Sequence, residues 1–151
     1  TVYGFQGGFD ITVKDLNLQS NANLGYWSTG VHASDVPVYG QVFDLNNNLN
    51  YLIPKINVNI TLNHRYNGKQ PNYSLSGDKI YINTLQASNF IDASLTKKFF
   101  SNKLALVMGV KNITDIKTLR IDGSVGGIHQ GSSTRQASLG RSMFATVKYN
   151  F

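Results

Sequence analysis

Residues 56–66 read Ile56-Asn57-Val58-Asn59-Ile60-Thr61-Leu62-Asn63-His64-Arg65-Tyr66. Ile56, Val58, Ile60 and Leu62 share one parity, and Asn57, Asn59, Thr61, Asn63 and Arg65 share the other. A helix would scatter these side chains around its circumference, whereas a strand, with its period of two, sorts them into two faces. The stretch is therefore read as a strand with one apolar face and one amide-rich face.

The same period recurs outward in both directions. Upstream, Phe5, Gly7, Phe9, Ile11 and Val13 alternate with Gln6, Gly8, Asp10 and Thr12. Leu16, Leu18, Ala22, Leu24 and Tyr26 alternate with Asn17, Gln19, Asn21, Asn23 and Gly25, and Leu45, Leu49, Tyr51 and Ile53 with Asp44, Asn46, Asn48 and Asn50. Downstream, Ile91, Ala93, Leu95 and Phe99 alternate with Asp92, Ser94, Thr96 and Lys98, and Leu104, Leu106, Met108 and Val110 with Lys103, Ala105, Val107, Gly109 and Lys111. Met143, Ala145, Val147, Tyr149 and Phe151 alternate with Ser142, Phe144, Thr146, Lys148 and Asn150. The count is about seven strands. Lys14-Asp15, Pro54-Lys55 and Phe100 to Asn102 read as tight turns, while Gly30 to Gln41, Asn67 to Asn83 and Asn112 to Ser138 read as long polar loops. Short and long connections alternate strictly, as they do in a transmembrane barrel with short periplasmic turns and long outer loops.

Composition narrows the class. Charged residues make up 15% of the chain and aromatic residues 11%, against roughly 25% charged in an ordinary soluble domain. The absence of cysteine excludes disulfides, thiol catalysis and cysteine-based zinc sites. No apolar run approaches the ~18 residues of a membrane-spanning helix. The mean hydropathy of −0.20 resembles that of a soluble protein, but alternating strands average away over a wide window. Nothing at Thr1 resembles a signal peptide, so the expectation is that a leader was removed or that the true N-terminus lies far upstream.

The strands run to about 9–13 residues, enough to cross a bilayer at a tilt. Tyr26, Tyr51, Tyr66, Phe99, Tyr149 and Phe151 sit near strand ends, where they would form aromatic girdles at the two membrane interfaces. The expected fold is thus all-β, a transmembrane antiparallel β-barrel. Ser20 and Asn47 break the phase on the apolar face, where a bulge would rotate either inward. Lys97 is also out of phase, close enough to a strand end to snorkel. A soluble sandwich hides its apolar face inside and explains the alternation too.

Catalytic and metal signatures are absent from the sequence. His32, His64 and His129 lack metal-ligand spacing. No Gly-x-Ser-x-Gly elbow occurs, and no lysine follows the glycine-rich run Gly123 to Gly131 in phosphate-loop register. Neither an enzyme, nor a metal, nor a cofactor is expected. The net charge is +6, yet its cations are dispersed and form no nucleic-acid patch. Lys14, Lys55, Lys97, Lys98 and Lys103 fall near the tight turns; Lys69, Lys117, Arg120, Arg135 and Arg141 fall in or beside the long loops. There an anionic surface would favour the cations, Arg135 and Arg141 above all. Arg65, Lys98, Lys111 and Lys148 phase to the amide face, where simple hydration or an anionic substrate would meet them.

The last residues, Gly140-Arg141-Ser142-Met143-Phe144-Ala145-Thr146-Val147-Lys148-Tyr149-Asn150-Phe151, resemble the C-terminal insertion signal of bacterial outer-membrane proteins. The resemblance implies that Val147, Tyr149 and Phe151 are read by the barrel-assembly machinery, an unpaired strand being a template for strand addition. The hairpin Asp92 to Val110, the tetrad Asn112-Ile113-Thr114-Asp115 and the later Gly140-Arg141 together resemble the tail of TonB-dependent receptors. Pro54-Lys55 and Tyr66-Asn67-Gly68 fit the same family, and Ile113-Thr114 stands where its pattern has a hydrophobic-aromatic pair. That family implies a barrel of roughly 22 strands closed around a plug. This chain would supply the C-terminal segment, with the plug and earlier strands elsewhere. The implied function is import of a scarce nutrient, whether siderophore, glycan or peptide. The implied partners are outer-membrane lipid and phosphorylated lipopolysaccharide, which Arg135 and Arg141 would contact, the remaining strands and the plug, which Arg65, Lys98, Lys111 and Lys148 would face, the TonB energy-transducing complex, the assembly machinery and a surface lipoprotein. Tyr39, Tyr73 and Tyr81, on the long connections, are candidates for extracellular substrate contact. The alternatives are a complete small barrel with a structural or adhesion role, and a soluble β-sandwich binding module.

Overall fold

The structure, a computed structural model, describes residues 2–28, 39–76, 79–123 and 133–149, with the backbone alone at 72–76 and 79–82. The strands are β1 (Val2–Val13), β2 (Leu16–Ser28), β3 (Tyr39–Ile53), β4 (Val58–Asn67), β5 (Gln70–Ser76), β6 (Lys79–Leu85), β7 (Ser88–Phe99), β8 (Leu104–Lys111), β9 (Thr118–Gly123), β10 (Ser133–Gln136) and β11 (Ser142–Tyr149). Seven form the main sheet in the order β1-β2-β3-β4-β7-β8-β11, and the other four form a second sheet, β10-β9-β6-β5. Every ladder is antiparallel.

Register shows why the alternating sequence folds this way. Directly opposed residues share a face, and one row runs Ile11, Leu18, Leu49, Leu62, Ala93, Val110, Met143 across all seven strands of the main sheet. On the reverse face a neighbouring row runs Asp10, Gln19, Asn48, Asn63, Asp92. A slip of one residue in any ladder would move that strand's apolar set to the amide face; none of the ladders slips. Ser20 and Asn47 stay on the apolar face, paired with each other in an unbroken register, so no bulge turns them inward.

The apolar face is uncovered. Phe5 is 73% exposed, Met143 82% and Val147 68%, and among the described residues no large side chain is fully buried. β1 and β11 each pair on one side only among the described residues, so the main sheet is open. The antiparallel all-β class read from the sequence is therefore present, as a sheet with two free edges.

Tight turns gather at one end. Lys14 takes a left-handed conformation (φ 52°) between β1 and β2. Phe100, Ser101 and Asn102 do the same (φ 51°, 54° and 72°) between β7 and β8. Between β3 and β4, Pro54–Ile56 form a 3-10 turn that ends at left-handed Asn57, whose N–H donates to the Pro54 carbonyl at 3.3 Å. This corrects the strand start read at Ile56. Proline's fixed φ opens the turn, Ile56 is 52% exposed within it, and extended backbone resumes at Val58.

At the other end, two of the expected long loops prove to be structured. Residues 70–85 hold the β5–β6 hairpin, and residues 118–136 hold β9 and β10. The two pieces join through β6 and β9, where Leu85 lies opposite Ile121. Pro71 is tolerated because β5 is an edge of this second sheet. The third long connection, residues 29–38, and residues 124–132 lie outside the described residues, with His32 and His129 in them.

Candidate functional site

The second sheet is held in place by a clasp built on Asn112. β8 ends at Lys111, and Asn112 turns left-handed (φ 52°) and is buried. Its backbone N–H donates to Asp92 Oδ1 at 2.7 Å. Its Nδ2 donates to the Ile116 carbonyl at 2.8 Å and to Ser138 Oγ at 2.9 Å. Its Oδ1 accepts from Thr114 Oγ1 at 3.0 Å and from the Ile116 N–H at 3.1 Å. Asparagine suits this post because one short side chain carries both donors and acceptors and tolerates left-handed backbone.

Ser138 Oγ extends the clasp, donating to the Ile116 carbonyl at 2.6 Å and accepting the Gly140 N–H at 3.0 Å. Gly140 adopts φ +92°, and a Cβ there would stand 2.7 Å from Lys117 Cε and 2.8 Å from Asp115 Oδ1, so the position requires glycine. Next to it, the Arg141 N–H donates to Asp115 Oδ1 at 2.8 Å. That bond, with smaller contributions from the Lys117 and Arg141 charges, holds the Asp115 carboxyl below its ordinary value against a desolvation that pushes the other way. The tetrad and the Gly140-Arg141 pair, separate in sequence, are thus one hydrogen-bonded unit.

Beneath the clasp, an open cleft of about 510 Å³ lies between the amide face of the main sheet and the inner face of the second sheet. Arg65, Phe90, Asp92 and Lys111 line it from β4, β7 and β8; Leu85, Leu119 and Arg135 line it from β6, β9 and β10. The Arg65 guanidinium lies 5.2 Å from the Phe90 ring centroid, and Lys111 Nζ lies 5.6 Å from that of Phe144. Such cation–π contacts hold long cationic side chains in place. Phe144 itself covers Gly109, where a Cβ would fall 2.6 Å from the ring.

Beside this cavity runs a wall of amides. Asn17 Nδ2 donates to Asp10 Oδ1 at 2.6 Å, and Gln19 Nε2 to Asp10 Oδ2 at 2.9 Å. Asn48 donates to Asn63, Asn50 to Asn48, and Thr61 Oγ1 to Asn50 Oδ1 at 2.8 Å. A depression of about 220 Å³ lies over this wall, reached by Arg65 and Asp92. Lys98, Lys111 and Lys148 share the face in the register, as Arg65 does.

The apolar face carries its own feature. Asn47 Nδ2 meets His64 Nδ1 at 3.0 Å, and His64 Nε2 meets Asn89 Oδ1 at 3.1 Å. With Asn47 donating, the imidazole accepts at Nδ1 and donates from Nε2. The phase break at Asn47 is therefore satisfied by His64, which the register places on the same face. Lys97 remains on this face too, its Nζ 5.4 Å from the Phe99 ring centroid.

The sequence-derived site residues sort by position. Tyr51, Phe99 and Tyr149 lie on the apolar face toward the tight turns, and Tyr26 and Tyr66 on the same face toward the long connections. Tyr66 packs against Phe43 at 6.1 Å between centroids. Tyr39 stands in phase with Phe43 at the start of β3, on the apolar face and away from the amide-lined cavity. Tyr73 and Tyr81 fall on β5 and β6, with side chains outside those described. Val147 and Tyr149 lie on the free edge strand β11, and Phe151 lies outside the described residues. Of the two arginines read as lipopolysaccharide contacts, Arg135 lines the cavity, and Arg141 donates to the Ile113 carbonyl from Nε at 3.2 Å and Nη2 at 2.7 Å. Ser138 and the Asn47–His64–Asn89 chain were not singled out as sites in the sequence. An isolated serine carries no signal, and the chain joins residues on three strands.

Among the described residues no group of three His, Cys, Asp or Glu side chains converges as a metal site would require. Comparison of the chain with protein-family models, curated proteins and solved structures found no match. Fold and site together define an antiparallel all-β chain with an uncovered apolar face, an amide-lined reverse face and a cation-lined cavity.

Proposed function

We propose that this chain is wall, the C-terminal segment of a larger transmembrane β-barrel in a bacterial outer membrane, and that the whole is a TonB-dependent receptor importing a scarce nutrient. The observation that carries the proposal is the seven-strand phase: one exposed apolar face running across all seven strands, backed by a face that is amide-rich from β1 to β7 and carries Lys111 and Lys148 on β8 and β11. A soluble sandwich would cover the apolar face with a second layer, yet the second sheet here leaves that face bare and borders the amide side at the cleft. In a bilayer, lipid covers the apolar side and the amides line a water-filled or plugged lumen.

Three further features agree. Aromatic side chains stand at both ends of the apolar face, as they do at membrane interfaces. Between Phe43 and Tyr51 the chain advances eight residues, ~27 Å along the strand. At a tilt of about 40° this spans about 21 Å of the membrane normal, most of the roughly 25 Å apolar band of such barrels. The free edges at β1 and β11 need further strands to close them in lipid, which favours a large receptor over a complete small barrel. The clasp also unites the two motif halves that carry the resemblance to TonB-dependent receptors.

The experiment has two parts. The parent polypeptide is fractionated, and nutrient uptake is measured with and without an energised inner membrane. The receptor predicts a detergent-requiring outer-membrane protein several times the mass of this chain, with energy-dependent uptake. A parent of about 17 kDa would identify a small barrel instead, and cooperative unfolding of a detergent-free protein would identify a soluble module.

A further inference from the structure

We propose that the cavity between the two sheets is a binding site for a small organic polyanion carrying two or more carboxylate or phosphate groups. Arg65 from β4, Lys111 from β8 and Arg135 from β10 all line it. The three exposed cations concentrate positive charge along one open cleft. Asp92, the one carboxylate among the described lining residues, has its Oδ1 engaged by the Asn112 N–H. The site is therefore a surplus of positive charge, two of whose members are held on aromatic rings.

Convergence of the three depends on the fold. Arg65 and Lys111 share the amide face through their places in the main sheet. Arg135 reaches them because it lies opposite Leu119 on the inner face of the second sheet, and the clasp fixes that sheet over β8. Arg120, the residue next to Leu119 and so on the outer face of β9, pairs with Asp122 at 2.6 Å and takes no part. Guanidinium groups bind carboxylates and phosphates bidentately, and an ammonium adds a point charge. A volume of about 510 Å³ suits a ligand of sugar phosphate or tricarboxylate size, and Leu85 and Leu119 give its carbon skeleton an apolar wall.

The inference deepens the receptor reading by naming the class of nutrient, and rests on that reading for the statement that the ligand is imported. The test uses the parent receptor purified in detergent, with citrate and pyrophosphate as probes, sorbitol as a neutral control and bisphosphorylated lipid A as a headgroup control. Calorimetry should show saturable binding of at least one small polyanion, weakening steeply as salt rises. Arg65→Gln, Lys111→Gln and Arg135→Gln should each reduce affinity roughly tenfold or more. Arg120→Gln should leave it unchanged, and Arg65→Lys should retain more affinity than Arg65→Gln, separating charge from folding. No saturable binding of either probe, equal binding of sorbitol, or indifference to Lys111→Gln and Arg135→Gln would overturn the site. Binding of lipid A alone would assign the cations to membrane headgroups and overturn the small-molecule class. Energy-dependent uptake of a neutral nutrient without polyanion binding would sink the site and leave the receptor standing; polyanion binding without energy-dependent uptake would do the reverse.

Discussion

The Arg141 guanidinium donates to the Ile113 carbonyl through both Nε and Nη2, while the Arg141 backbone N–H binds the carboxylate of Asp115 two residues further on. One residue at the start of β11 thus ties down the whole turn that follows β8. The clasp sets where the second sheet lies, and with it the cavity that receives Arg135.

The first prediction concerns Gly140. Gly140→Ala forces a side chain into left-handed backbone and against Asp115 and Lys117. The cost should be about 2–3 kcal/mol, read as a shift in the urea midpoint of the refolded parent receptor. Asn112→Ala, which removes four hydrogen bonds to partly buried groups, should cost about as much.

A second prediction concerns pH. Asp115 has its folded pKa lowered, first by the Arg141 N–H. Its contribution is therefore fully present above the ordinary aspartate value and is lost as pH falls through the lowered folded value. Protease cutting between residues 112 and 141 should rise on acidification in that range. Asp115→Asn should give raised cutting at neutral pH with no further acid step at this site.

The third prediction separates the faces. Leu62 and Asn63 are neighbours in the middle of β4 on opposite faces. Leu62→Arg should destabilise by roughly 2–4 kcal/mol in a bilayer, and Asn63→Arg by under about 1 kcal/mol. Equal costs at the two positions would argue against lipid on the leucine side.

A fourth prediction concerns the polar chain on the apolar face. His64→Leu alone leaves Asn47 without its partner and should cost about 1–3 kcal/mol. Adding Asn47→Leu removes the stranded group, so the double variant should recover most of that loss. A double-variant cycle in the refolded receptor measures it.

Much of this architecture was legible because period-two patterning acts locally. Leu16 to Tyr26 and Leu104 to Val110 declare their faces without reference to their neighbours, and the ladders had only to respect them. The turns were legible from Lys14-Asp15 and Pro54, though Asn57 delays β4 by taking left-handed backbone. The second sheet was missed because Gly68 and Pro71 dominate its first hairpin and read as loop. Proline is permitted in β5 only because that strand is an edge, a tertiary fact. The clasp residues were visible as motifs, but their union depends on Ser138 and Gly140, 26 and 28 positions further along the chain, returning to the Asn112 turn. Arg135 was read as a rim cation for the same reason: its convergence with Lys111 exists only after the second sheet folds over.

The most direct test places spin labels singly at Val58 and Asn59 in the receptor reconstituted in lipid. The account predicts that the label at 58 is relaxed strongly by bilayer-dissolved oxygen, and that the label at 59 is shielded from it. A label at 58 packed inside protein and inaccessible to oxygen would contradict the account.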